Sequence, residues 1–291
     1  MGVTLHLFAI KMKVKLYLFL SLVVASSILK GQDVLPTKKQ VNKGKIYMLW
    51  GWNQDWYAPS SIHFTGKDYD FILTDVKAHD KQSDFNYETY FHPKYITYPQ
   101  TNLRLGYYIS DKYDISIGVD HMKYVISSVQ DVRIRGYIRD ESIYDGEYIN
   151  RLFHINEDFL RYEHTDGLNY INIELTRNDD LLQQFVSINP DKFQLNSMLG
   201  FGLGPVMPKS NVTLWNNVRN DEFHFAGYGF SGKAGFNAIF YKYFFLRTEV
   251  KAGFIDLPDV LTSKDIEDRA SQNIIFAEWY FAFGIMFQLT K

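Results

Sequence analysis

Four side chains in this chain are of types that could act together on a lipid ester: Ser61, His63, Asp120 and His121. A histidine beside a carboxylate can serve as general base toward a serine hydroxyl or a water. Asn53, Asp55, Ser60 and Lys123 stand near them in sequence. All fall where apolar alternating stretches end, so they should gather at one level, and the reaction suited to that level is hydrolysis or transfer of an acyl chain. One feature weighs against a shared site. Asp120 and His121 are adjacent in an extended stretch, so their side chains point to opposite faces. The structural alternative is a polar rim, because His and Tyr favour such boundaries in any case.

Other chemistries have less support. The chain has no cysteine, which excludes disulfides and thiolate ligands. Its eight histidines contain no His-x3-His pair, so neither a metal nor a cofactor is expected. No Gly-x-Ser-x-Gly or phosphate loop occurs. Gly200-Phe201-Gly202-Leu203-Gly204 alternates small with large residues, the pattern of a strand. A net charge of −2 gives no basic footprint, so nucleic acid is not an expected partner.

A second set of polar residues is more regular. Arg104, Asp120, Glu174, Lys233, Arg247, Glu249 and Lys251 all occupy the small or polar face of an alternating stretch. Buried together they must be paired and hydrogen-bonded, or each costs several kcal/mol. They are therefore expected to form a network inside a closed sheet.

The elements that would position these groups are strands of period 2. In the last one Phe281, Phe283, Ile285, Phe287 and Leu289 alternate with Ala282, Gly284, Met286 and Gln288. Bulk lies on the oily face and little volume on the other, which suits lipid outside and a narrow polar lumen inside. With 17% aromatic residues, and no run of 18 apolar residues after the N-terminus, strands rather than helices should cross the membrane. Eight such strands are predicted, at 45–53, 102–109, 113–126, 168–176, 193–204, 225–240, 243–255 and 274–289, the fifth ended by Pro205 and Pro208. Tight turns at 110–112 and 241–242 should lie on the same side as the chain ends. The stretches 55–99, 129–165, 205–224 and 257–273 read as long outer loops, the second charged and irregular. A hairpin at 61–76 should rise from the first; if it entered the membrane the count would be ten. A short helix is expected at 180–186.

The N-terminus carries Lys11, Lys13 and Lys15, then an apolar run from Leu16, then Ala25, Ser26 and Ser27. That is the order of a cleaved secretory signal. The expected domains are a signal peptide at 1–32, a periplasmic leader at 33–44 and a barrel at 45–291. The fold class is all-β, a transmembrane antiparallel up-and-down barrel.

With Trp50-Gly51-Trp52-Asn53, Asp120-His121-Met122-Lys123-Tyr124, Phe223-His224-Phe225-Ala226-Gly227 and Phe244-Phe245-Leu246-Arg247-Thr248-Glu249, the chain resembles small outer-membrane β-barrel proteins of Gram-negative bacteria. It is most similar to a family of them to which no chemistry is assigned, and in plan it resembles the OmpA/OmpX-type barrels. The resemblance covers about residues 45–291 and implies fold and location. The compact His-x-Ser motif of the lipid A deacylase PagL is missing, so no catalytic residues are carried over.

The resulting expectation is an outer-membrane barrel with a plugged polar lumen and long surface loops, in a structural or binding role. Its expected partners are lipopolysaccharide and phospholipid, and an extracellular ligand held by the loops. The alternatives are a lipid A or phospholipid-modifying enzyme at the outer rim, and a narrow pore for small solutes.

Overall fold

The structure is a computed structural model describing residues 41–84, 86–95, 99–182, 188–215 and 222–289. The expected signal peptide and residues 33–40 of the leader lie outside the described residues, as do 183–186 of the helix expected at 180–186; its first residue, Asp180, is strand instead of helix. The elements in chain order are β1 (Lys45–Tyr57), β2 (Ser60–Gly66), β3 (Tyr69–Val76), β4 (Ala78–His79), a helical turn α1 (Tyr87–Phe91), β5 (Thr101–Tyr108), β6 (Tyr113–Ile126), β7 (Gln130–Ile138), β8 (Gly146–Ile155), β9 (Leu160–Asp180), β10 (Phe193–Pro208), β11 (Asn211–Leu214), β12 (Gly227–Phe240), β13 (Phe244–Leu261) and β14 (Arg269–Gln288).

Eight of these strands close into a ring in the order β1, β5, β6, β9, β10, β12, β13, β14, all antiparallel, and β14 pairs back onto β1. One row of paired residues runs all the way round. It passes from Met48 through Leu105, Ile117, Ile173, Leu203, Phe230 and Phe254 to Ile275. Met48 also pairs with Ile285, so the row returns to β14 ten residues from where it began. That stagger requires the strands to tilt, typically by about 35–45°. Every residue in the row is exposed and apolar. On water-facing walls such a band would carry a large unfavourable hydration cost, whereas in hydrocarbon it carries none. The barrel is therefore a membrane-spanning one, with its polar side chains inside.

Both tight turns lie on one side with the ends of the ring. Leu289 N–H donates to the Gly44 carbonyl, and Gly44 N–H to that of Tyr108, beside the turn where Ser110 N–H reaches the Tyr113 carbonyl. At the other turn Tyr241 and Lys242 have φ of 51° and 67°, the left-handed backbone that the primed hairpin turns require.

On the opposite side the sheet continues beyond the apolar band. The start of β14 pairs with β2, β2 with β3, β3 with β7 and β7 with β8. The hairpin at 61–76 thus stands outside the ring, and the ring has eight strands. The 129–165 stretch is not irregular, contrary to the reading from sequence: it holds β7, β8 and the start of β9. Val132, Ile134, Tyr148 and Tyr162 point into an aromatic core, while the alternating Arg133, Arg135 and Arg151 gave the stretch its loop-like charge. The supposed loop at 257–273 is largely strand, since β13 reaches Leu261 and β14 begins at Arg269. β10 also runs through Pro205 to Pro208, and β11 pairs with β9 within the region read as a third loop.

Two apolar clusters result. One fills the outer extension, with Phe64, Phe71, Phe159 and Tyr162 fully buried. The other closes the turn-side end of the barrel with Tyr47, Leu49, Tyr108, Ile239, Phe245, Tyr280 and Met286.

Candidate functional site

Between the two apolar clusters the lumen is filled with charge. Arg104 on β5, Asp120 on β6, Glu174 on β9, Lys233 on β12, and Arg247, Glu249 and Lys251 on β13 all point inward and are buried. Arg104 Nη2 lies 3.0 Å from Glu174 Oε1 and 3.3 Å from Asp120 Oδ1. Lys233 Nζ is 2.5 Å from Glu174 Oε2 and 3.2 Å from Glu249 Oε2. Lys251 donates to Asp120 and stands 2.9 Å from Glu174 Oε1. Asn172 and Asn102 tie the members together, each donating to an Asp120 oxygen at 2.8 Å.

Glu278 on β14 belongs to the same network, although sequence reasoning passed over it. Asn102 Nδ2 donates to its Oε1 at 3.0 Å, and Lys251 Nζ lies 4.0 Å away. The signal was present, because the alternation traced from Phe281 places Glu278 on the inner face when carried back three residues. At the turn-side end Tyr47 Oη donates to Asp114 Oδ1 at 2.7 Å, and the Arg247 guanidinium lies 4.8 Å from the centre of the Tyr47 ring. A salt-bridged layer capped by aromatic rings leaves the lumen occupied by its own side chains.

The residues with catalytic potential are divided among three places. Asp120 sits inside the barrel within the ion-pair network. His121 faces outward, with Nδ1 2.7 Å from Asn169 Oδ1. Ser61 and His63 share the outer face of β2 and line a shallow cavity of about 350 Å³ with Arg135 and Asp256. His63 Nε2 is held by Asp70 Oδ1 at 2.8 Å, and Ser61 makes no hydrogen bond to it among the described residues. The arrangement brings Ser61 to His63 and separates both from Asp120 and His121.

A serine and a histidine do bond elsewhere. Ser210 Oγ and His164 Nδ1 are 2.9 Å apart, with His164 fully buried between the rings of Tyr124 and Tyr162. Burial pushes the His164 pKa down to about 3. The imidazole is therefore neutral and enclosed by aromatic rings, which suits packing rather than attack on a substrate.

A third feature was hidden in the sequence. Between Met122 and Tyr124 of β6 the partner strand β9 carries three residues, Thr165, Asp166 and Gly167, opposite the single Lys123. Gly167 takes φ of 124°, which lets the bulge turn outward. Below it lies a cavity of about 450 Å³ on the outer wall, lined by His121, Lys123, Asp166, Asn169, Lys209 and Phe223 among others.

No family model and no curated protein matches the chain. Among solved structures it is similar to the outer membrane protein OprG from Pseudomonas aeruginosa, at 11% identity and a TM-score of 0.39, covering 86% of this chain and 100% of that one. It is also similar to Ail, the attachment invasion locus protein of Yersinia pestis, at 10% identity and 0.31, covering 84% and 99%. A third is the outer membrane protein AlkL in lipid bilayers, at 9% identity and 0.36, covering 90% and 98%. Likeness at this level carries no weight beside the closed strand ring, which by itself establishes the barrel.

Proposed function

We propose that this chain is an outer-membrane barrel that passes no solute and holds a folded β-sheet above the membrane as a binding surface. The observation that carries the reading is the sheet β14-β2-β3-β7-β8, which leaves the ring and ends at β8, an edge that no other strand covers among the described residues. An open edge offers unpaired backbone donors and acceptors to an added strand. Ile149 and Leu152 of β8, and Ile143 just before it, are 90%, 67% and 91% exposed, an unusual display of aliphatic bulk for a solvated hairpin. The partner that fits is an extended peptide segment with apolar side chains. Outer-membrane location agrees with the signal-like N-terminus and the apolar band, and the occupied lumen supports the absence of transport.

The test compares the purified barrel with a variant in which residues 129–156 are replaced by a short turn. Both are screened on peptide arrays and in planar bilayers. The reading expects extended apolar peptides to bind the full chain and not the variant, and neither protein to give discrete conductance steps. Peptide binding that survives removal of the hairpin, or unitary conductance by the full chain, would overturn it. Lipid A from cells with and without the gene should have the same mass; a difference of one acyl chain would favour an enzyme.

A further inference from the structure

The cavity under the β9 bulge lies at a particular height. On the outer face of β6, Ile115, Ile117 and Val119 are followed by His121 and then Lys123, one step of about 7 Å for each pair of residues. Val119 pairs with Ile171 at the top of the apolar band, and His121 pairs with Asn169 immediately above it. The cavity therefore opens at the level where hydrocarbon gives way to lipid headgroups. Phe223 lines it and is exposed, and two residues on, the exposed Phe225 ring meets that of Tyr228 edge-on at 5.1 Å, the kind of aromatic border such an interface favours.

Its polar lining is built rather than incidental. Lys123 is nearly buried, and Lys209 Nζ already holds an oxyanion, Asp166 Oδ2, at 2.8 Å. Asp166 is the one carboxylate among the described lining residues, and its side chain is exposed. Asn169 Nδ2 donates to the Met207 carbonyl at 3.1 Å, which turns its Oδ1 toward His121. His121 Nδ1 must then carry the ring proton, leaving Nε2 as an acceptor. That Nε2 is buried and has no hydrogen-bond partner among the described residues. The lining thus carries two lysines, Lys209 already engaged with Asp166, and one acceptor nitrogen that has no partner among the described residues.

We infer that this cavity binds the headgroup of an anionic membrane lipid, with Lys123 and Lys209 on the phosphate and His121 Nε2 accepting from a headgroup hydroxyl. The inference rests on the reading that this wall borders lipid. The occupant is a lipid and not free phosphate, because the cavity opens directly above the apolar band and has an aromatic lip.

The test is native mass spectrometry of the refolded protein released from mixed micelles. The probes are phosphatidylglycerol, phosphatidic acid, which lacks the headgroup hydroxyls, and zwitterionic phosphatidylcholine. Phosphatidylglycerol should be retained roughly tenfold or more over phosphatidylcholine, and the double variant K123Q/K209Q should abolish that preference. His121→Phe should reduce phosphatidylglycerol to the level of phosphatidic acid. Asp166→Asn, which removes the competing carboxylate, should raise retention of both anionic lipids, and it keeps the test decisive if the lysine variant does not fold. Lys112→Gln, at the turn on the other side of the barrel, should change nothing. Equal retention of all three lipids, unchanged preference in the lysine variant, or complete displacement by millimolar inorganic phosphate would overturn the site. Equal retention would leave the membrane reading intact, whereas failure to retain any lipid would sink both.

Discussion

Lys251 donates to Asp120 across the middle of the barrel, although 131 residues separate them in the chain. Their strands, β13 and β6, are four places apart in a ring of eight and so face each other through the lumen. The pair is a crossbar, and Glu174 and Arg104 brace it from the sides. Because it is wholly buried, removing one end should be far worse than removing both. Lys251→Met should destabilise the barrel by about 3–5 kcal/mol, since it removes one buried positive charge and leaves Asp120 and Glu174 to Arg104 and Lys233 alone. The double variant Lys251→Met with Asp120→Asn should recover part of that loss. Urea titration of the refolded protein in micelles, read as a double-mutant cycle, measures the difference.

The apolar band can be tested by charge. Val250 on β13 lies near mid-height of the band and is 56% exposed. Arginine there should cost about 2–4 kcal/mol of stability in bilayers, as expected near the hydrocarbon midplane. The same substitution at Ile149, which is 90% exposed on β8, should cost almost nothing. Equal costs at the two positions in vesicle-based unfolding would mean that the band does not meet lipid.

The alternation that marks the membrane strands was legible in the sequence because one period holds from lipid to lumen. Phe281, Phe283 and Ile285 face out, Ala282 and Met286 face in, and the inward charges from Arg104 to Lys251 follow the same rule. Beyond the band the rule inverts. There the inner face carries Phe64, Phe71 and Phe159 and the outer face carries Arg133 and Arg135, as in a water-soluble sheet. A reading tuned to oily exteriors therefore takes β7, β8 and the ends of β13 and β14 for loops. The rim residues were legible in kind but not in grouping. Whether His121 meets Asp120 or Asn169 depends on strand pairing, and the cavity beside it depends on a bulge between strands 40 residues apart, which no local pattern records.

The aromatic seal at the turn side depends on space left by a glycine. A Cβ on Gly106 would lie 2.1 Å from the Tyr47 ring, whose hydroxyl is fixed on Asp114. Gly106→Val should force the ring aside and lower stability by about 1–3 kcal/mol. Pairing it with Tyr47→Ala should relieve the clash, so the double variant should be more stable than the sum of the single losses predicts. Strictly additive losses in urea unfolding would show that Tyr47 does not fill the space over Gly106.

The outer extension should weaken in acid through His164. Its folded pKa, about 3, lies below the ordinary value of 6.5 because the ring is buried. Between those values the unfolded segment binds a proton that the folded one does not. Stability is therefore full above about pH 6.5 and falls as pH drops toward 3, by roughly 1.4 kcal/mol per unit from this one group. Hydrogen exchange along β9 and β11, which pair beside His164, should accelerate in that window. His164→Gln keeps a partner for Ser210 and removes the titration, so its exchange should change less with pH than that of the native chain. An equally steep acid response in the variant would assign the effect to other groups.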